Sequence, residues 1–236
     1  MEAKWTWAMA AALGLALLAT AQGIDLRFSC LLAEDSCVPP LSSAELEWEE
    51  LGTQLCPPEE VLVWSPDRPL RWEDFRGTPP PEAARCHQAA AIYYRLSFRY
   101  QAQVRLASGR WRATIVPGSL QVTNEMLCCL SWVLPGYRTE AVLRHEQGHF
   151  DLNEVYRRIL ERRLAGLSGE GTSPQQALHD LAQKLQATYD RVWQRARQVQ
   201  AQYDQETDHH RDLRAQARWE EQIRRWLENP SLAPQP

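Results

Sequence analysis

From position 173 the chain carries one long apolar stripe. Leu178, Leu181, Leu185, Thr188 with Tyr189, Val192, Ala196, Val199 and Tyr203 return in steps of three and four. That spacing keeps side chains on one face of a 3.6-residue helix. Ser173 as N-cap, Pro174 at the first helical position and Gln176 three residues past the cap mark its start. A second helical pattern begins at Thr139 and runs to Gly166, and a third covers roughly residues 211–227, with Trp219 and Trp226, before Asn229-Pro230. Residues 167–172, between the first two helices, are glycine-rich and read as a plain loop.

Ahead of the helices the period shortens to two. Within residues 91–106, Leu96, Phe98 and Tyr100 share a face, with Val104 and Leu106 further on. Ser108-Gly109 supplies a turn, and residues 111–122 form a second strand region broken at Pro117-Gly118, so a β-hairpin is predicted. Trp132 and Val133 add a short strand, as do residues 61–64. Residues 65–77 read as a turn and a compact segment that buries Trp72 and Phe75. Residues 22–60 read as loop-rich, with one short helix capped by Ser42 and Glu45 and stopped at Gly52. Strands followed by helices give an α+β fold. Its N-terminal loop-rich segment and antiparallel hairpin or sheet pack against a C-terminal helical part. One domain is expected over residues 61–228, with a disordered tail over 229–236.

The apolar pattern of residues 1–21 is of another kind. Lys4 precedes an unbroken apolar run that ends in Ala19-Thr20-Ala21, a small-x-small cleavage pattern. This reads as a signal peptide, with an uncleaved anchor as the alternative. The expectation is an exported chain, periplasmic or secreted, with no stable membrane span once the segment is removed. Mean hydropathy of -0.49 excludes a polytopic membrane protein. Export changes the meaning of the six cysteines, Cys30, Cys37, Cys56, Cys86, Cys128 and Cys129. An even count in an exported chain points to disulfides, and adjacent Cys128 and Cys129 are expected to pair with two different partners.

Formal charge is -4 overall, but it is not uniform. Residues 22–75 hold 12 acids and 3 bases, residues 76–136 hold 2 acids and 7 bases, and the remainder is balanced. The absence of a basic excess argues against a nucleic-acid partner.

The balanced third carries the chemistry. His145-Glu146-Gln147-Gly148-His149 is an H-E-x-x-H sequence inside a helical pattern. Residues four apart lie on one helix face, so both imidazoles can reach one ion, and neutral imidazole suits zinc. Glu146 is then placed to act as general base on a water attacking a peptide carbonyl. The expected partner is a peptide or protein substrate. Amide bonds of peptidoglycan and a non-catalytic envelope scaffold with a structural metal are the alternatives. A catalytic zinc site needs a third protein ligand. Asp151, Glu154, Asp190, Asp204, His209 and His210 are the candidates, and Glu154 fits poorly by helical period.

Three blocks resemble the bacterial family of secreted, predicted zinc-dependent proteases called domain of unknown function 922. They are Trp64-Ser-Pro-Asp-Arg68 through Trp72-Glu-Asp74-Phe75-Arg-Gly77, His145 through Glu154, and Tyr203-Asp204-Gln-Glu-Thr207-Asp-His209. The resemblance implies His209 as third ligand, with one zinc ion. The family pattern closes on glycine where this chain has His210. Asp204 and Asp151 could orient a histidine, and Tyr203 could polarise a substrate carbonyl. A simple antiparallel pairing across the 167–172 loop makes paired residue numbers sum to about 340. His145 would then face about residue 195, and His209 would overshoot by about 21 Å.

Overall fold

The computed structural model describes residues 17–21, 26–29, 56–81, 83–84 and 88–236. The short helix expected between Ser42 and Gly52, most of the export segment, and Cys30, Cys37 and Cys86 lie outside the described residues.

The architecture is α+β and is organised around one long strand, β5 (Tyr93–Ala107). Its even-numbered side chains from Tyr94 to Val104 are buried and its odd-numbered ones are wholly or partly exposed. This is the period-two signature of a sheet covered on one side. β6 (Arg110–Ile115) pairs with its C-terminal half and β7 (Gln121–Leu127) with its N-terminal half, both antiparallel. The intervening turn is stitched to the same strand: Val116 N–H donates to Gln101 O, and Ser119 Oγ accepts from Gln101 N–H. Pro117-Gly118 therefore turns what would be one long partner strand into two. β1 (Leu17–Ala21) and β2 (Leu26–Ser29) also pair with β5, β3 (Val61–Val63) pairs with β7, and β4 (Ala90–Ala91) forms a separate pair with β8 (Trp132–Val133). Leu106, expected on the inner face, is exposed at 61%. It lies next to the Ser108-Gly109 turn, where positive φ at both residues closes the hairpin.

Two helices cover the inner face, and a third packs against them. α1 (Glu140–Ala165) starts at Thr139, whose side chain accepts from Val142 N–H. α2 (Pro174–Thr207) starts at Ser173, which accepts from Gln176 N–H. α3 (Leu213–Glu228) starts at Asp212, which caps Arg214 and Ala215. The stripe of α2 meets β5 through Phe98–Tyr189 and Tyr94–Trp193 ring contacts at 5.9 and 6.1 Å. The Tyr189 hydroxyl donates to Leu96 O at 3.0 Å.

Two expectations are corrected here. The 167–172 segment is not a plain loop: Ser168–Gly171 forms β9, antiparallel to β6. Gly169 and Gly171 lie so close to the start of α2 that a Cβ at either would strike the Gln176–Leu181 turn. The chain thus detours to the sheet edge between α1 and α2. The C-terminal tail is not disordered either. Pro230 and Ala233 are buried, Tyr156 OH donates to Pro234 O at 3.0 Å, and Arg195 Nε donates to Gln235 O at 3.1 Å. Its backbone carbonyls, together with buried Ala233 and the Gln235 side chain that accepts from Arg163, hold it to α1 and α2.

Among the described residues one disulfide joins Cys56 to Cys129, with Cα atoms 5.7 Å apart. Cys128 is not in a second bridge. It is a buried free thiol in the core, and burial pushes its pKa up. The two cysteines lie in the turn after β7, which sends Cys128 into the core and its neighbour to Cys56.

Candidate metal centre

α1 and α2 meet with a register set by the β9 detour. Paired residue numbers sum to about 349 in place of 340: His149 meets Gln200, and His145 meets Asp204. The shift of nine residues moves α2 by about 13 Å along its axis and brings Asp204 to the two histidines. His145 Nε2 stands 2.9 Å from Asp204 Oδ1, His149 Nε2 stands 3.0 Å from the same oxygen, and the two Nε2 atoms are 3.2 Å apart. All three side chains are buried, and their ligand atoms form a group able to hold a metal ion.

α2 ends at Thr207, and Asp208, His209 and His210 have φ of 46°, 49° and 85°. These three left-handed residues reverse the chain into α3. His209, the ligand implied by resemblance, is half-exposed, with Nδ1 3.6 Å from Asp204 Oδ1. The Asp204 hydrogen bond raises its pKa. His210 occupies the conformation that glycine adopts without penalty, and the family pattern carries glycine at that place. His210→Gly should raise stability by about 1 kcal/mol, read as a higher Tm.

Glu146 is buried beside the cluster and accepts from the Ile92 N–H. Burial pushes its carboxyl up to about 7. Burial pushes His145 down to about 4. Burial alone would raise Asp204, but the neighbouring His149 and hydrogen bonds from both histidines hold it well below the usual carboxylate range. At neutral pH the His145 ring is therefore uncharged, and its Nε2 shares Asp204 Oδ1 with His149 Nε2. Two imidazole nitrogens converging on one carboxylate oxygen make a donor set that a divalent cation suits. Zinc ligands at about 2.0–2.1 Å in a tetrahedron stand roughly 3.3 Å apart. The donor set and its spacing therefore fit a divalent ion.

The remaining candidates lie elsewhere. Asp151 points away from the cluster and accepts from Trp64 Nε1 and Gln147 Nε2, both at 2.7 Å. Gln147 Oε1 in turn accepts from Leu70 N–H, so the Trp64-to-Gly77 block docks on the outer side of α1. That block is closed by a two-pronged Arg68–Asp74 ion pair at 2.5 and 2.6 Å. Glu154 is held by Arg157 and Arg158, and Asp190 accepts from Gln186 on the surface.

Tyr203 is wholly buried between the two imidazoles, stacked on His145 at 4.7 Å and edge-on to His149 at 4.9 Å. Its hydroxyl donates to His145 O at 3.2 Å and accepts from Gln216 Nε2 at 2.7 Å. With its one proton committed, it serves as packing and support for the metal helix. The ring needs Gly148: a Cβ there would collide with the Tyr203 hydroxyl and Cζ. Gly148→Ala should cost about 1–2 kcal/mol despite Ala being the better helix former, and a melting curve checks it.

Sequence reasoning missed Gln200 and Gln216, whose Oε1 atoms meet His149 Nδ1 at 2.6 Å and His145 Nδ1 at 3.3 Å. Gln200 could have been found: it sits one turn before Asp204, a polar residue adjoining the apolar stripe at Val199 and Tyr203.

Residues 137–211 match the model of the bacterial DUF922 family. The family is described as a bacterial protein of unknown function, and its match runs from the approach to α1 just past the left-handed turn. The DUF922 segment thus holds all three atoms of the cluster, Glu146 and Gln200. Gln216 and the Trp64-to-Gly77 block lie outside it. No curated protein and no solved structure matches the chain.

Proposed function

We propose that this chain is an exported zinc-dependent hydrolase that cleaves peptide bonds. The observation that carries the reading is the convergence of His145 Nε2, His149 Nε2 and Asp204 Oδ1 within 3.2 Å, with buried Glu146 beside them. His145, His149 and Asp204 would hold the ion. When bound, zinc supplies Lewis-acid chemistry, polarising a carbonyl and making a water more acidic. The chain's own part is proton handling and alignment. A carboxyl raised to about 7 can take a proton near neutral pH and return it to a departing amine. The Ile92 N–H holds that carboxylate in place. Export is supported by the Cys56–Cys129 disulfide, and no helix among the described residues is long and apolar enough to cross a membrane.

The test is hydrolysis of a peptide library by the purified protein, before and after chelation and after zinc is returned. Cleavage that disappears with the chelator and returns with zinc is the expected result. A zinc-loaded protein inert toward every peptide would remove the peptidase reading and leave the scaffold alternative.

A further inference from the structure

We infer that Gln200 and Gln216 are positioning residues that fix the proton of both ligand imidazoles on Nδ1, so that each Nε2 faces the metal position. The inference rests on the metal-site reading above. It follows from which atoms can only accept. Gln200 lies 3.0 Å from the His149 carbonyl, which has no proton to give, so the Gln200 group there is its NH2. Its other end, Oε1, then faces His149 Nδ1 at 2.6 Å, and the ring must supply the hydrogen. Gln216 obeys the same logic. Its Nε2 donates to Glu220 Oε1 at 3.1 Å and to the Tyr203 hydroxyl at 2.7 Å, leaving Oε1 toward His145 Nδ1 at 3.3 Å. Thr207 Oγ1, 3.5 Å from the same nitrogen, already donates to Tyr203 O at 2.7 Å and can only accept there. Gln200, Gln216 and Thr207 thus each offer these Nδ1 atoms an acceptor.

The two amides come from different elements, Gln200 from α2 and Gln216 from α3, and each grips a different histidine of α1. Both are nearly inaccessible, at 1% and 2% exposure. The Gln216 link continues outward, because Glu220 also accepts from Arg144 at 2.9 and 2.5 Å. α3 thus reaches the centre through one side chain although it supplies none of the three ligand atoms.

The experiment uses the full mature chain and two readouts that need no activity. Ring ¹⁵N spectra should show Nδ1–H on both His145 and His149. Gln200→Leu should disturb only the His149 signals and Gln216→Leu only those of His145. Zinc affinity, by competition with a chromogenic chelator, should fall about 10–100-fold in each leucine variant, more at Gln200, whose contact is shorter. Gln200→Glu and Gln216→Glu keep the oxygen that faces Nδ1 but set a second acceptor against the His149 carbonyl and against Glu220, so they should retain the Nδ1–H signals at a lower Tm. A bare Nδ1 on either wild-type ring overturns the inference. So do leucine variants with unchanged ring spectra and wild-type affinity. A wild-type protein that takes up no zinc defeats the hydrolase reading instead, and the ring spectra still decide the role of the two glutamines.

Discussion

Glu146→Gln should leave zinc bound and lower peptide hydrolysis by about 10²–10⁴-fold, the range expected when a general base is lost. The substitution is nearly isosteric and removes only the ability to accept a proton. The amide oxygen can still accept from the Ile92 N–H, so the side chain keeps its anchor. Glu146 lies outside the three-atom cluster, and zinc content of the variant should equal that of wild type. A variant that cleaves at the wild-type rate with full zinc would show that Glu146 is not the base. One that loses zinc would show that the carboxylate belongs to the ligand set.

Asp204→Ala should weaken zinc binding by more than about a hundredfold, beyond what loss of a supporting hydrogen bond does. His209→Ala should weaken it less than about tenfold. The ranking follows from distance and burial. Asp204 Oδ1 touches both Nε2 atoms and is almost inaccessible, whereas His209 is 52% exposed and its Nδ1 stands 3.6 Å from Asp204 Oδ1. Chelator competition on the two variants decides between them. The reverse order would restore His209 as the third ligand, which the family resemblance implies. Asp204→Asn separates charge from shape, since an amide keeps an oxygen in the same position but loses the negative charge that favours a dication.

Much of this was legible from the chain because local rules dominate there. The α2 cap at Ser173 and the seven-turn stripe needed no tertiary information, and the alternation of β5 named its buried face. The left-handed exit was not legible from local rules: α2 runs on through Thr207, and the three positive-φ residues that follow, Asp208, His209 and His210, include no glycine. The ligand partner could not be chosen for one reason: the helix-to-helix register depends on β9. Four residues from Ser168 to Gly171 have no strand-like composition, and they pair only because β6 offers an edge and glycine permits contact with α2. The same limit explains the tail and Cys128. The tail is held in part through backbone carbonyls, which sequence does not distinguish, and which of two adjacent cysteines meets Cys56 depends on the turn that follows β7.

α2 works as a lever. From Pro174, seated on β9, to Asp204 is thirty residues, or about 45 Å of helix. One degree of tilt at the seated end would carry the carboxylate about 0.8 Å, more than the roughly 0.5 Å that a functional constellation tolerates. Alignment of the metal centre is therefore secured along the shaft, at Tyr189 on the Leu96 carbonyl, at Trp193 on Tyr94 and at Arg195 on the Gln235 carbonyl. Substitutions two to four turns away from the ion, and shortening of the C-terminal tail, belong among the determinants of its affinity.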